Sequence, residues 1–368
     1  MLWYRAVSPG LFKKNGGPFM VQINDGNISS TRKKNTCIQT DEHFNTLANT
    51  IIDEVNRSKR YIAMNISSVM VKTYWTIGRY IVEFEQRGSS KSKYGSNMMT
   101  NLSKVLTMRL GRGYSRPNLN NMRKFYLLYP ICQMSDKLTW SHICELITID
   151  DELERSFYER ECVKEDWDVR SLRRQMDSGL FLRLAKSKDK ESILALAKTG
   201  IEIQKPEDIV KDTYTLEFLG LPEKEQYSEN DLEQRIIENL QIFLLELGKG
   251  FAFVGRQYSI VINNVHYHVD LVFYHRILKC FVLIDLKKNS VKHEDIGQMN
   301  MYMGYFAKEE NESDDNPPVG IILSHNKDEL LVEYATYGMD TNLFVSKYEL
   351  YLPNREELRR LVDGILNE

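Results

Sequence analysis

Two carboxylates and a lysine lie on neighbouring runs of the sequence that have the character of strands. Asp270 belongs to the run 269–274, and Asp285 and Lys287 belong to the run 281–287. Both runs are rich in β-branched and aromatic residues, and their length fits strands rather than helices. Because side chains alternate across a strand, Asp285 and Lys287 are predicted to point the same way, at the end of an apolar face. Metal-dependent cleavage of a phosphodiester bond needs this spacing.

The break between the two runs predicts how the carboxylates face each other. A two-residue loop at Ile277 and Leu278 would place Asp270 opposite Asp285 in an antiparallel register. Like charges opposite one another are destabilising, which favours a cation between them. Mg²⁺ suits such a site because it binds through one or two carboxylates plus substrate phosphate, and Mn²⁺ could substitute for it. Lys287 is predicted to orient or deprotonate the attacking water or to offset transition-state charge. A buried Asp–Lys pair without chemistry is the alternative, since this pattern is short and frequent.

A helix before these strands supplies a third acid. A capping box is predicted over 228–231, and a helix with one apolar face over 232–247. Glu233 falls inside the apolar stripe of this helix, whereas Glu238 lies on the opposite side. A carboxylate on a core face needs a partner, so Glu233 is the candidate third acid. An ion pair with an arginine elsewhere in the chain is the plainer interpretation of Glu233.

The elements that follow Lys287 define a fold class. A helix is predicted from His293 to about Glu309, with Gln298 and Tyr302 one turn apart on it. Strands are predicted over 319–324 and 343–345, and a closing helix from about Arg355. The order of helix, three strands, helix and strand predicts an α/β core with a mixed sheet flanked by helices.

Three stretches of the C-terminal half carry a family resemblance, namely 243–257, 270–276 and 297–299. This half resembles the PD-(D/E)xK nuclease superfamily, and the three stretches resemble the YhcG-like family of bacterial nucleases more closely. The resemblance covers most of the chain from about Asn45. It implies a multidomain α+β and α/β protein, with an all-α N-terminal domain joined to a restriction-endonuclease-like α/β core that has a mixed central sheet. It also implies an Mg²⁺-dependent endonuclease that acts on DNA.

The resemblance assigns roles to individual residues. Asp285 stands where the superfamily more often has Glu, and Val269 stands where its name has proline, but a shorter acid still reaches a metal. A DNA-binding or interaction protein that keeps the nuclease core only as an inactive scaffold is the alternative function. The implied catalytic set is Asp270, Asp285, Lys287, Glu233, Gln298 and Gln257, and the implied metal ligands are Asp270, Asp285 and Glu233.

A competing motif overlaps the first carboxylate. His266, His268 and Asp270 form an H-x-H-x-D string on one strand face, which resembles part of the metallo-β-lactamase zinc signature. Position 271 is Leu where that signature continues with His, and zinc sites need three or four well-placed ligands. The two histidines are therefore interpreted as polar strand residues able to approach substrate phosphates.

The segment from Val71 to Phe125 is strongly basic. It holds eleven Lys or Arg residues against two acids, as expected for a nucleic-acid contact. A turn at 111–113, with Ser115 as the N-cap of a second helix, suggests a helix-turn-helix arrangement. A solvated basic face on a helical interaction domain is the alternative. The predicted nucleic-acid contacts are Arg112, Arg116, Asn120, Arg123 and Lys124.

Length and composition limit the remaining possibilities. The chain has 368 residues, 42% of them apolar and 27% charged, which fits a globular protein of two or three domains. The absence of a membrane-length apolar run and of a convincing signal peptide predicts a soluble cytoplasmic protein. Five scattered cysteines argue against a disulfide framework. DNA is the expected partner, RNA is not excluded, and cutting both strands would need a homodimer.

A division into domains follows from these patterns. We predict a flexible segment at 1–40, within which Met20 is a second candidate start, and a helical DNA-binding domain at 41–198. A linker is predicted at 199–227 and the nuclease domain at 228–368. The prolines within 199–227 mark the change from a helical pattern to a mixed one.

Overall fold

The computed structural model describes residues 66–86, 92–131, 134–221, 227–326, 329–337 and 342–367. All of them belong to one compact unit, Ser58–Glu368, and the second unit, Met1–Arg57, lies outside the described residues. The predicted flexible segment at 1–40, the beginning of the predicted helical domain, and two of the basic residues, Arg87 and Lys91, also lie outside them.

The first part of the described chain is helical. Its helices begin at residues whose side chains accept backbone N–H groups, among them Ser115, Thr139 and Asp151. Leu146, Phe157 and Leu172 belong to the buried core of this helical region. The helices are α1 (66–86), α2 (Ser92–Leu110), α3 (Arg116–Leu128), α4 (Trp140–Leu146), α5 (Glu152–Glu165), α6 (Val169–Asp177), α7 (Leu180–Ala185) and α8 (Lys190–Thr199).

A six-stranded mixed sheet forms the second part, in the order β1-β6-β5-β4-β3-β2. β2 with β3 and β3 with β4 are antiparallel, whereas β4 with β5, β5 with β6 and β1 with β6 are parallel. The predicted α/β core with a mixed sheet is confirmed. The strands are β1 (Thr213–Thr215), β2 (Phe251–Ile262), β3 (Val265–His275), β4 (Cys280–Ser290), β5 (Val319–Asn326) and β6 (Leu343–Glu349).

Helices cover both faces of this sheet. α9 (Glu229–Glu238) and α10 (Leu240–Leu247) pack on one face, and α11 (His293–Tyr305), extended by a π-helical turn at Phe306–Glu310, packs on the other. The central strands β4 and β5 are therefore buried on both sides, which explains their almost continuous apolar sequences. α12 (Glu329–Thr336) and α13 (Arg355–Asn367) follow. None of the described helices combines the length and apolar character needed to cross a membrane.

Three local predictions need correction. The single helix predicted over 232–247 is broken at Asn239, whose side chain donates to the Arg235 carbonyl and so competes with the helical backbone pattern. The predicted two-residue loop after β3 is a four-residue turn, 276–279, although the predicted register is kept. The predicted linker contributes β1 to the sheet edge, because its Thr213–Thr215 backbone pairs with β6.

The C-terminal helix α13 packs against the N-terminal helical region. Val362 lies in the same buried cluster as Phe157. The buried carboxylate of Glu154 accepts from Arg355 Nη2 at 2.7 Å and also contacts Arg359. Burial raises the pKa of Glu154, and the two arginines oppose that effect. The helical core thus includes residues from both ends of the described chain.

Candidate active site

A fork between β3 and β4 holds the two predicted carboxylates. The strands pair from His275↔Cys280 to Leu271↔Ile284, and one further step in this register would bring Asp270 opposite Asp285. Beyond that point β3 remains paired with β2, and β4 remains paired with β5. Asp270 Oδ2 accepts the Leu286 backbone N–H at 2.8 Å, which fixes this carboxylate where the strands separate.

Asp285 and Lys287 form a close pair on one face of β4. The Lys287 Nζ atom lies 2.6 Å from Asp285 Oδ2 and 3.7 Å from Asp295 Oδ1. Burial, and next the charge of Asp270, raise the pKa of Asp285 to about 7, although Lys287 acts to lower it. Burial lowers the pKa of Lys287, but Asp285 and Asp295 more than compensate and raise it. Lys287 is therefore held as an ammonium, which suits orientation and charge stabilisation better than proton abstraction.

Gln257 connects the third acid to the first. Its Nε2 donates to Glu233 Oε2 at 2.6 Å and to Asp270 Oδ1 at 3.0 Å. Gln257 has a left-handed backbone (φ 46°) within β2, and its side chain contacts Glu233 of α9. Glu233 is buried, as its place in the apolar stripe predicts, and Glu238 is exposed. Burial raises the pKa of Glu233, as does Asp270, against the effect of Gln257.

The plainer interpretation of Glu233 also has support. Arg256 Nε lies 3.5 Å from Glu233 Oε1, so the acid has an arginine partner as well as the Gln257 amide. Arg256 is exposed at the site edge and also donates to Gln234 on α9 at 2.9 Å. The sequence carries no signal for this contact, because 22 residues separate Arg256 from Gln234.

Gln298 reaches the site through Tyr302. Its Nε2 donates to the Tyr302 hydroxyl at 2.5 Å, one turn along α11. Tyr302 is buried, and its pKa is raised by burial and then by the charge of Asp285. The hydroxyl therefore lies within the field of the carboxylates. The predicted one-turn spacing of Gln298 and Tyr302 agrees with their contact, whereas no sequence pattern predicts Asp295 beside Lys287.

Two carboxylate oxygens have the character of cation ligands. Asp285 Oδ2 and Glu233 Oε1 are buried, and each faces a cationic side chain: Lys287 Nζ lies 2.6 Å from the first and Arg256 Nε lies 3.5 Å from the second. A buried charged oxygen is costly unless positive charge compensates it, and a metal cation would share this role with Lys287 and Arg256. Within the described ranges no three His, Cys, Asp or Glu side chains converge as a ready-made metal cage. Two carboxylates with water and substrate phosphate are nevertheless sufficient for Mg²⁺, so Asp270 and Asp285 fit this ion.

The predicted nucleic-acid contacts fall into two groups. Arg112, Arg116 and Asn120 are exposed around the turn between α2 and α3. Arg123 is paired with Glu85 at 2.6 Å, and Lys124 is paired with Asp150 at 3.0 Å. Ser115 caps α3 as predicted, by accepting the Asn118 backbone N–H.

Comparison with known proteins identifies two matching regions. Residues 207–363 match the family described as the YhcG PDDEXK nuclease domain. Residues 50–183 match the family described as the DUF1016 N-terminal domain. The first region contains the strand fork and its carboxylates, and the second contains the basic segment.

Individual proteins that are similar to this chain include a curated relative and two solved structures. The chain is 36% identical to "Putative nuclease YhcG" of Escherichia coli (strain K12) over 344 residues, which cover 84% of this chain and 90% of the relative. A repair endonuclease from Pyrococcus abyssi matches with 18% identity and a TM-score of 0.25, over 35% of this chain and 50% of its own. A complex of EndoMS with double-stranded DNA matches with 18% identity and a TM-score of 0.24, over 37% and 51%. These structural likenesses are too limited to assign a substrate. The extent of the match to the Escherichia coli protein shows that the chain belongs to the YhcG family of PDDEXK nucleases.

Proposed function

We propose that the protein is an Mg²⁺-dependent endonuclease that hydrolyses phosphodiester bonds in DNA. The observation that carries this proposal is the strand fork, where Asp270 and Asp285 meet with Lys287 beside them. A purely structural Asp–Lys pair does not need a second, half-buried carboxylate at the same point, since like charges there are destabilising.

Asp270 and Asp285 would hold the cation, and Glu233 would complete the acidic cluster through Gln257. A bound divalent cation supplies Lewis-acid stabilisation of the charge on the phosphate, and Mn²⁺ could replace Mg²⁺ in this role. Gln257 keeps the carboxylates of Glu233 and Asp270 at a fixed separation, because one amide group donates to both.

Lys287 acts as a fixed positive charge in this proposal. The Asp285 and Asp295 carboxylates hold its ammonium in place, with its proton retained. From this position Nζ can donate to the attacking water or to a phosphate oxygen as negative charge develops. Tyr302, which is buried and accepts from Gln298, contributes a hydroxyl within the field of the carboxylates.

DNA is the substrate that we propose. The exposed Arg112 and Arg116 provide cationic contacts for a phosphate backbone, and RNA is the alternative nucleic acid. A homodimer would provide two sites for cutting both strands. A bacterial cytoplasmic location agrees with the three described cysteines, Cys144, Cys162 and Cys280, all of which are free thiols.

The test is cleavage by the purified full-length chain. Plasmid DNA, branched DNA and RNA are each incubated with Mg²⁺, with Mn²⁺ and with a chelator. The Asp285→Asn variant is tested in the same way. Its control is Asp314→Asn, which changes an exposed carboxylate paired with Lys279. We expect cation-dependent cleavage of DNA that Asp285→Asn abolishes and Asp314→Asn retains. Undiminished cleavage by Asp285→Asn, or cleavage in chelator, would disprove the assignment. If the folded wild-type chain binds DNA without cutting any substrate, the inactive-scaffold alternative is supported.

A further inference from the structure

A two-stranded ribbon extends from the strand fork. β2 and β3 remain paired from Tyr258↔Val269 to Ile262↔Val265, beyond the point where β4 leaves β3. Asn263 and Asn264, both with left-handed backbones, form the two-residue turn at its tip. The ribbon begins at the residues of the candidate active site, because the next rung in the same register joins Gln257 and Asp270.

The two faces of the ribbon differ in their surroundings. The inner face packs on α11 and its extension, with Tyr258 5.3 Å from Phe306 and Tyr267 6.5 Å from Tyr302 between ring centres. Ile260 on the same face is fully buried. The outer face is exposed along its whole length and is formed by the cross-strand pairs Ser259↔His268 and Val261↔His266.

The chemistry of the outer face indicates what it can meet. No acidic residue occurs between Gln257 and Val269, so a phosphate backbone can approach without repulsion. The side chains of Ser259, His266 and His268 can donate hydrogen bonds to phosphates or to base edges. A homodimer interface would need a larger apolar centre, and the outer face offers only Val261, 46% exposed, because Val265 pairs with Ile262 on the inner face.

The shape of the ribbon indicates which kind of nucleic acid it fits. A two-stranded β-ribbon fits the major groove of B-form DNA, which is about 12 Å wide, whereas the major groove of duplex RNA is too narrow for side chains to read. Single strands are usually held by stacking on aromatic rings. Both tyrosines of the ribbon face α11, so its outer face presents no Phe, Tyr or Trp ring for stacking.

We infer that the outer face of the β2–β3 ribbon, formed by Ser259, Val261, His266 and His268, binds the major groove of duplex DNA beside the scissile bond. This inference rests on the proposed function and specifies its substrate as duplex. His266 lies four residues from Asp270, or about 13 Å along the strand. The ribbon therefore reaches about four base pairs from the cleavage position, at about 3.4 Å for each pair.

Two ribbon variants of the full-length chain test the inference. The first deletes Val261, Ile262, Val265 and His266, so that the Asn263-Asn264 turn joins Ile260 to Tyr267 with the face alternation preserved. The second is His266→Glu with His268→Glu, which keeps the ribbon length and adds negative charge. Val254→Glu is the matched control, because Val254 is exposed on the same strand outside the ribbon.

Affinity is measured without divalent cation for a short duplex DNA, for one of its strands alone, and for duplex RNA of the same sequence. Thermal unfolding and size-exclusion chromatography check the fold and the oligomeric state of each variant. We expect both ribbon variants to bind duplex DNA at least roughly tenfold more weakly, the size of one good base contact. Their affinities for single-stranded DNA and duplex RNA, and every affinity of the control, should change by less than about twofold.

Other outcomes would overturn the inference. Folded ribbon variants that bind duplex DNA as the wild type does would contradict it, as would an equal loss on the single strand, or a changed oligomeric state with DNA affinity unaltered. Failure of the proposed catalysis is a separate result. A wild-type chain that binds duplex DNA through the ribbon but cuts no substrate with Mg²⁺ or Mn²⁺ would disprove the nuclease activity and leave the ribbon assignment in place.

Discussion

Arg183 of α7 and Glu246 of α10 form a buried ion pair that joins the helical region to the nuclease core. Arg183 Nη1 donates to Glu246 Oε1 at 2.8 Å, and Nη2 donates to Oε2 at 3.3 Å. The Thr215 backbone N–H also donates to Glu246, at 3.0 Å. Burial alone would raise the pKa of Glu246, but Arg183 and Lys211 lower it to about 2. The carboxylate therefore remains charged in the interior and depends on its partners.

Removing Arg183 should destabilise the whole protein. We expect Arg183→Met to reduce the free energy of unfolding by about 3–5 kcal/mol, because it leaves a buried carboxylate short of its closest cation. Urea unfolding measures the change. Arg173→Met is the control, since Arg173 pairs with Glu145 at the surface and should have little effect. Equal stability of the two variants would show that the buried pair contributes nothing.

The two acids of α9 should differ in their effect on cleavage. Glu233 is buried and shares the Gln257 amide with Asp270, whereas Glu238 is exposed on the same helix. We expect Glu233→Gln to lower the cleavage rate by roughly 10–100-fold, as for changes beside metal ligands, and Glu238→Gln to leave it unchanged. Parallel rate measurements under one set of conditions decide the ranking. The opposite ranking would assign the wrong face of α9 to the site.

Glu161 should make stability depend on pH. Burial raises the pKa of this carboxyl to about 7, although the Ile201 backbone N–H that it accepts at 2.7 Å acts to lower it. The folded state thus holds a proton that the unfolded state releases above about pH 4.5. The Glu161 contribution is unfavourable at pH above 7 and disappears as the pH falls below about 4.5.

The Glu161→Gln variant tests this sign. Glutamine keeps an oxygen for the Ile201 N–H but carries no charge. The free energy of unfolding of the variant minus that of the wild type should therefore be about 3 kcal/mol larger above pH 7 than at acidic pH. Chemical unfolding of both proteins across this pH range gives the difference. A difference between them that stays constant with pH would contradict the assignment.

The exposed basic turn should dominate the salt dependence of DNA binding. Arg112 and Arg116 are exposed, whereas Arg123 and Lys124 are paired with acids. Neutralising Arg112 and Arg116 to Gln should reduce the slope of log K against log salt by about 0.9 for each lost phosphate contact. Neutralising Arg123 and Lys124 should reduce it less. An equal or larger effect of the second pair would place the contact along α3 instead.

The sequence predicted the relationships that depend on local periodicity. The register that brings Asp270 towards Asp285 follows from the position of the turn, which fixes the residues that face each other across a hairpin. The burial of Glu233 follows from the spacing of apolar residues along a helix. The break at Asn239 was not predicted, because a side chain competed there with the helical backbone. The contacts of Asp295 and Arg256 could not be predicted, since chain folding brings them to the site and no local pattern marks them.

The position of α13 has a consequence for biosynthesis. Arg355 and its partner Glu154 are 201 residues apart in the sequence. Domains generally fold from the N-terminus while the chain is being made, at about 5–20 residues per second. Here the helical region cannot complete its core until α13 has left the ribosome, after every strand of the sheet has been translated. This core is therefore complete only when the adjoining nuclease core is already present, so the proposed DNA binding and cutting should mature together.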